Sequence, residues 1–276
     1  MISGQHSDIC LWTKNNREVR SKMRKNRGMT LSISIVLLLI CLTQQASAAT
    51  LYLSVTASMS DLFTEVADRF EKHTPTTRIV INTGSSGSLA RQIVHGAPVD
   101  IYISANQYWM DHLVSQGLVD PGRRKIIARN ELVFVGKPGH PIPGFEALSD
   151  LDRLAIGVPE SVPAGQYAKQ ALVKAGLYQS LKRSNALIYA KDVRQALLYA
   201  DRGEVDGAFV YRTDLAIARN AKLLFTVPEG FHQHISYPAA IISGRATNQN
   251  VLDFYHYLSS EEVSDLLAHA GFLPVQ

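Results

Sequence analysis

Outside its first 48 residues the sequence has no cysteine, no long apolar run and no excess of one charge. Both cysteines, Cys10 and Cys41, lie in that first segment, which excludes a small disulfide-stapled scaffold for the rest. Residues 1–48 contain seven of the 28 Lys and Arg residues and two of the 24 Asp and Glu residues. The other residues include 21 basic and 22 acidic side chains, which gives a net charge of −1. The basic balance of the whole chain therefore gives no indication of nucleic-acid binding.

The common signatures of catalysis and of metal binding are also missing. No Gly-Lys-Ser/Thr follows a glycine-rich loop, which argues against a nucleotide phosphate site, and no Gly-x-Ser-x-Gly elbow occurs. The nine histidines are scattered, and the closest pair, His232 and His234, has no Cys, Asp or Glu alongside at metal-site spacing. The sequence predicts a protein that is not an enzyme and that has no cofactor and no direct metal ligands.

Residues 1–48 have the order of a secretory signal peptide. A basic stretch that ends at Arg27 precedes an apolar run from Leu31 to Leu42, and the small residues 46–48 follow. The run is shorter than the roughly 20 residues that span a bilayer, so a permanent anchor is the weaker interpretation. A lipid tether on Cys41 is a further alternative, but isoleucine at position 40 fits the lipoprotein motif poorly. We expect export to the periplasm.

Residues 49–276 alternate short apolar runs with amphipathic stretches, which is typical of an α/β fold. The pattern predicts a βαβαβα run over 51–116 and helical structure over 249–270. Strands near 131–136 and 236–242 are placed where the chain could cross between two lobes. We therefore predict a first lobe at 49–131 and 235–276 and a second lobe at 132–234, with a single doubly wound sheet as the alternative.

Four segments resemble the first turn of a helix and offer small residues, hydroxyls or bare backbone N–H groups. A helix start carries unpaired donors and a partial positive charge, so several such ends around one point would hold a small oxyanion. Each segment also has an ordinary interpretation as a cap or a turn, and Ser58 alone favours the cap. The segments are 57–61, 84–88, 162–165 and 190–194.

Several stretches together closely resemble the periplasmic molybdate-binding proteins that serve ABC transporters, across essentially all of 50–276. The matching stretches are Ala57-Ser58, 85–93, 96–100, 103–110, 157–168, 192–194 and Val210-Tyr211. The resemblance implies the class II fold of two-lobed solute-binding proteins, in which two mostly parallel sheets with flanking helices are joined by crossing strands. The sequence departs from the family pattern at Thr56, Gly87 and Arg212.

The resemblance also implies a function and a site. The protein would capture molybdate or tungstate as a monomer and deliver it to an inner-membrane ABC permease, with molybdenum held only as the oxyanion. Ser58 and Ser86 would bind through hydroxyl and amide, Ala164 and Val193 through amides, and Tyr211 through its phenol. Alternatives are a receptor of the same fold for sulfate, thiosulfate or a ferric complex, and a secreted hydrolase with a serine nucleophile.

Overall fold

The computed structural model describes residues 49–137, 139 and 142–275. The predicted signal peptide and its cleavage site lie outside the described residues. Within the described residues, no helix has both the length and the apolar character needed to cross a membrane.

The first sheet has the strand order β2-β1-β3-β10-β4. Its strands and the helices beside them are β1 (Ala49–Thr56), α1 (Ser60–His73), β2 (Thr77–Gly84), α2 (Ser86–Val94), β3 (Ile101–Ile103), α3 (Gln107–Ser115), β4 (Val119–Asn130) and, from the end of the chain, β10 (Ile235–Ile242), α7 (Gln249–Tyr257) and α8 (Glu261–His269). Strand β1 is parallel to β2 and β3, as the predicted βαβαβα run requires. Strand β10 is antiparallel to β3 and β4, which makes the sheet mixed.

The second sheet repeats this plan in the order β7-β6-β8-β5-β9. Its elements are β5 (Leu132–Gly136), β6 (Leu154–Gly157), α4 (Pro163–Lys174), α5 (Tyr178–Arg183), β7 (Leu187–Ala190), α6 (Val193–Arg202), β8 (Gly207–Tyr211) and β9 (Lys222–Thr226). Strand β6 is parallel to β7 and β8, whereas β5 is antiparallel to β8 and β9. The predicted two-lobed α/β fold is confirmed, with mixed rather than mostly parallel sheets.

Hydrophobic periodicity explains most of these elements. In α1 the predicted apolar face, Leu62, Phe63, Val66 and Phe70, is buried, and Phe70 packs edge-on against Phe254 of α7 at 5.0 Å between ring centroids. In the second lobe β5 is buried at every position, because β8 and β9 flank it and the helices α4 and α6 pack against it.

The end of the chain agrees with the prediction except at one break. The stretch 249–270 is helical as predicted, but in two helices: α7 ends at Tyr257, and α8 begins at Glu261. Ser260 is the cap of α8, because its side chain accepts a hydrogen bond from Val263 N. A serine that competes for backbone donors favours a new helix start over continuation of the old one. Strands β4, β7 and β9 and helix α5 were not predicted.

The chain changes sheet twice. Strand β4 ends at Asn130 in the first sheet and β5 begins at Leu132 in the second, and the return lies between Thr226 of β9 and Ile235 of β10. The lobe boundaries at 131/132 and 234/235 stay predictions. In both lobes the loops at the carboxyl ends of the parallel strands lead into helices, which is where open α/β sheets bind ligands.

Candidate functional site

Each of the four predicted helix starts follows the carboxyl end of a parallel strand. In the first lobe β1 leads into a 3-10 turn, Ala57–Met59, that continues as α1, and β2 leads into α2 at Ser86. In the second lobe α4 begins at Pro163 after β6, and α6 begins at Val193 after β7. Each start leaves first-turn N–H groups without a partner inside its helix.

Ser58 is buried in the 3-10 turn, and its side chain caps no helix. The structure thus removes the ordinary interpretation that the sequence favoured for this residue. Ser60 and Asp61, which follow in the same segment, lie inside the first turn of α1. The Ser58 hydroxyl lies 3.3 Å from the phenol oxygen of Tyr237 on β10.

Ser86 is fully buried at the first position of α2, and the capping role falls to Ser85, whose hydroxyl accepts from Ser88 N. The Ser86 Oγ accepts a hydrogen bond from Ala105 N at 3.0 Å and lies 3.1 Å from Thr56 Oγ1. Because Ser85 satisfies the cap, the Ser86 hydroxyl is not needed to hold the helix. Thr56 thus places a second hydroxyl directly beside this serine.

Ala164 and Val193 occupy the first turns of α4 and α6 and are both buried. The predicted helix start at Pro163 is confirmed, and proline there needs no N–H partner. The predicted cap is confirmed as well, since the carboxylate of Asp192 accepts from Gln195 N at 2.9 Å. Because Ala164 and Val193 lie in the first turns of these helices, their N–H groups have no acceptor within the helix.

Tyr211 ends β8, and its side chain is 1% exposed. Its hydroxyl has no hydrogen-bond partner among the described residues. Burial raises the pKa of Tyr211 well above its ordinary value, and the nearby Tyr237, Tyr167 and Asp214 raise it further. The phenol therefore stays protonated and is a buried donor that calls for an acceptor.

The two lobes touch through backbone atoms around these residues. The N–H of Gly87 on α2 donates to the carbonyl oxygen of Ser161, just before α4, at 2.9 Å. Near the same place the Tyr167 hydroxyl of α4 donates to the Ala105 carbonyl at 3.4 Å. A Cβ at position 87 would lie 2.7 Å from the Ser161 oxygen and 2.5 Å from the Trp109 ring. Only glycine permits this approach, which explains the departure that the sequence left open at position 87.

Arg194 makes a second bridge from α6, one residue beyond Val193. Its guanidinium donates to the carbonyl oxygens of Ala57 at 3.2 Å and Ser58 at 3.3 Å, and to the carboxylate of Asp61 at 2.9 Å. Its Nε also lies 3.5 Å from the fully buried carboxylate of Asp214. Carbonyls that accept from a cation leave the N–H groups of the same peptide units more polarised as donors.

These contacts link all five predicted residues into one neighbourhood. Ser58 touches Tyr237, whose ring lies 5.9 Å from that of Tyr211, and Arg194 ties Val193 to the turn of Ser58. Gly87 beside Ser86 reaches Ser161, three residues before Ala164. Their roles as ligand contacts stay a prediction.

The site's surroundings argue against the catalytic and metal alternatives. The hydroxyls of Ser58 and Ser86 contact Tyr237, Thr56 and the Ala105 amide, and among the described residues neither has a histidine or carboxylate base within hydrogen-bond distance. No cluster of three His, Cys, Asp or Glu side chains suited to a metal ion occurs in the part of the chain that the structure describes.

Sequence reasoning missed several neighbours of the site. It identified Tyr211 as the one cleft tyrosine, whereas Tyr167 and Tyr237 also lie close to it. Arg194 lay within a predicted helix start but was given no role, although a basic residue two positions after the cap Asp192 was a visible signal. Arg212, the remaining departure, faces away from this neighbourhood and pairs with Glu131 and with the hydroxyl of Thr226.

Several known proteins are similar to this chain. The chain is 36% identical over 224 residues to the molybdate-binding protein ModA of Escherichia coli, which covers 78% of this chain and 86% of that protein. It is 33% identical over 235 residues to ModA of Haemophilus influenzae, covering 82% and 91%. The solved periplasmic molybdate-binding protein of Azotobacter vinelandii superimposes with a TM-score of 0.74 at 26% identity, covering 82% and 100%.

A family model described as bacterial extracellular solute-binding protein matches residues 51–273. Proteins of this family bind solutes outside the cytoplasm and are not enzymes, in agreement with the prediction from the sequence. The chain belongs to the bacterial extracellular solute-binding proteins and is of the ModA type.

Proposed function

We propose that this protein captures molybdate outside the cytoplasm and delivers it to the permease of an ABC transporter. The observation that carries the proposal is the Tyr211 hydroxyl, which is buried between the two lobes without a partner among the described residues. It lies in a neighbourhood built from four helix starts that supply uncharged donors. The names of the relatives support the same ligand.

In this proposal five residues surround the anion. Ser58 and Ser86 donate through hydroxyl and amide, Ala164 and Val193 through their amides, and Tyr211 through its phenol. At α2 the N–H of Gly87 donates to Ser161 and that of Ser88 to Ser85, which leaves the Ser86 N–H for the ligand. The positive ends of the helices favour the negative charge.

A site of donors selects a fully deprotonated tetrahedral anion. A hydrogen-bearing anion such as hydrogen phosphate needs an acceptor for its own proton, and its absence costs about 1–3 kcal/mol. Sulfate has the right charge but shorter bonds, so it fills a molybdate-sized cage poorly. Tungstate is nearly the same size as molybdate, and we expect it to bind as well.

Both lobes contribute donors, so capture requires the lobes to close over the anion. The contacts from Gly87 to Ser161 and from Arg194 to Ala57 belong to this closed arrangement. The permease then recognises the closed form. We further propose that residues 1–48 are the signal peptide for export to the periplasm, and that the mature protein acts as a monomer.

Isothermal titration calorimetry of the mature protein with molybdate, tungstate and sulfate tests the proposal. We expect tight binding of molybdate and tungstate and much weaker binding of sulfate. Equal affinity for sulfate and molybdate would instead assign the protein to sulfate transport. Turnover of an ester substrate, or labelling by a serine-reactive phosphonate, would support the hydrolase alternative.

A further inference from the structure

A chain of three polar groups ends at the hydroxyl of Ser58. Asn130, the last residue of β4, donates through Nδ2 to the phenol oxygen of Tyr237 at 3.2 Å. The Tyr237 oxygen in turn lies 3.3 Å from Ser58 Oγ. All three side chains are buried, and they belong to three different segments of the first lobe.

The orientation of the Asn130 amide is fixed by its other contacts. Its Oδ1 accepts from Glu131 N at 2.9 Å, and its Nδ2 also donates to Thr213 Oγ1 at 2.9 Å. An amide oxygen can only accept and an amide nitrogen can only donate, so the group facing Tyr237 is a donor.

This donor determines where the phenol proton points. Since the Tyr237 oxygen accepts from Asn130, its own hydrogen must find an acceptor, and Ser58 Oγ is the partner within reach. Burial holds the pKa of Tyr237 above its ordinary value, which keeps that hydrogen in place. Ser58 Oγ therefore receives a hydrogen bond from the protein, and its own hydrogen is free to point elsewhere.

We infer that Asn130 and Tyr237 are positioning residues that orient the Ser58 hydroxyl as a donor toward the bound anion and use one of its two lone pairs, so that it is a poor acceptor for a hydrogen-bearing anion. The inference rests on the proposed function and deepens it, because it gives the rejection of protonated oxyanions a specific cause. In this view selectivity depends on two residues that do not touch the ligand.

Tyr237→Phe removes the phenol and leaves a lone pair of Ser58 Oγ open. The purified protein is titrated with molybdate, and with hydrogen arsenate by competition, in mildly alkaline buffer where both are dianions. We expect the preference for molybdate over hydrogen arsenate to fall by about tenfold, which corresponds to the loss of one discriminating hydrogen bond.

Tyr102→Phe is the matched control. Tyr102 is also fully buried in the first lobe, but its hydroxyl donates to the Ser86 carbonyl at 2.8 Å rather than to a serine hydroxyl. We expect this variant to keep the wild-type preference. An equal change of preference in both variants would indicate general loosening of the lobe and would overturn the inference.

Asn130→Asp keeps the shape and replaces the donor by an acceptor, so it provides a second test if Tyr237→Phe fails to fold. The phenol then donates to the carboxylate, and Ser58 must donate to the phenol. The added charge weakens both dianions alike, so the ratio of their affinities reports the reversed hydrogen bonds. We expect that ratio to shift toward hydrogen arsenate.

Failure of the proposed function and failure of the inference about Asn130 and Tyr237 give different results. A wild-type protein that does not bind molybdate overturns the proposed function. Tight binding of molybdate by the wild type, with an unchanged anion preference in Tyr237→Phe or in Asn130→Asp, overturns only the roles of Asn130 and Tyr237.

Discussion

Arg194 of the second lobe donates a hydrogen bond to the carboxylate of Asp61 in the first lobe at 2.9 Å. Asp61 is largely exposed, so the ion pair by itself contributes little. The same guanidinium is mostly buried and also holds the carbonyls of Ala57 and Ser58. Arg194 thus ties the backbone on which Ser58 lies to the helix start of Val193.

We expect Arg194→Ala to weaken molybdate binding by about 10- to 100-fold, because hydrogen bonds to a charged group contribute about 1.5–3 kcal/mol each when buried. Calorimetric titration measures the effect. Arg202→Ala on the same helix is the control, since Arg202 is exposed and pairs only with Glu204 of its own lobe. Equal affinities of the two variants would contradict the bridging role of Arg194.

Gly87→Ala should weaken binding by at least about tenfold, because the new Cβ meets the Ser161 carbonyl and keeps the lobes apart. The clash with Trp109 should also lower the free energy of unfolding, by about 1–3 kcal/mol as in other overpacked sites. Gly84→Ala is the control, since its Cβ would make only ordinary contacts with Leu89 at 3.6 Å. Unchanged affinity in Gly87→Ala would show that the lobes bind without this contact.

Ser86→Ala and Ser85→Ala separate binding from capping. The first removes a donor to a charged ligand and should weaken binding by about 1.5–3 kcal/mol. The second removes the cap of α2 and should lower the free energy of unfolding by about 0.5–2 kcal/mol while leaving affinity nearly unchanged. Calorimetry and urea denaturation of both variants check the pair. Similar affinity losses in both would argue that Ser86 acts only through the helix.

Asp214 makes stability depend on pH. Burial raises the pKa of its carboxyl from 3.8 to about 6, although Arg194 and the Tyr211 N–H oppose the shift. The folded protein thus holds the proton more tightly than the unfolded chain. This contribution is fully present below the unfolded pKa and is lost as the pH rises through about 6.

Asp214→Asn removes this titration and keeps an acceptor for Tyr211 N. As the pH rises from below the unfolded pKa of 3.8 to above about 6, the free energy of unfolding of the wild type should fall relative to that of the variant. The expected fall is on the order of 3 kcal/mol. Urea denaturation at a series of pH values measures the difference. Parallel curves for the two proteins would contradict the raised pKa.

The regular elements of the first lobe followed from the sequence because their apolar periodicity is strong. The face of α1 and the parallel set β1, β2 and β3 are examples. Strand β4 was missed because five of its twelve residues are exposed and it contains Pro121 and Gly122, which indicate a turn. Its pairing with β10 is a long-range contact that local patterns do not encode.

The site divides in the same way. The serines, the small residues and the caps at helix starts could be recognised from the local sequence. Tyr211 was assigned to the site only through the resemblance to the molybdate-binding proteins. The partners of those residues could not be found, because Tyr237 lies 179 positions from Ser58 and Arg194 lies 136 positions away. The first of these contacts depends on the strand order within the first sheet and the second on how the two lobes are placed, and no short window of the sequence contains either.

The contact between the Gly87 N–H and the Ser161 carbonyl joins two main-chain groups, so it does not depend on the side chain at position 161. Substitutions accumulating on the outer faces of the lobes leave such a bond intact. The outer faces of the lobes can therefore tolerate replacements without loss of this closing contact, whereas position 87 itself cannot take a larger side chain.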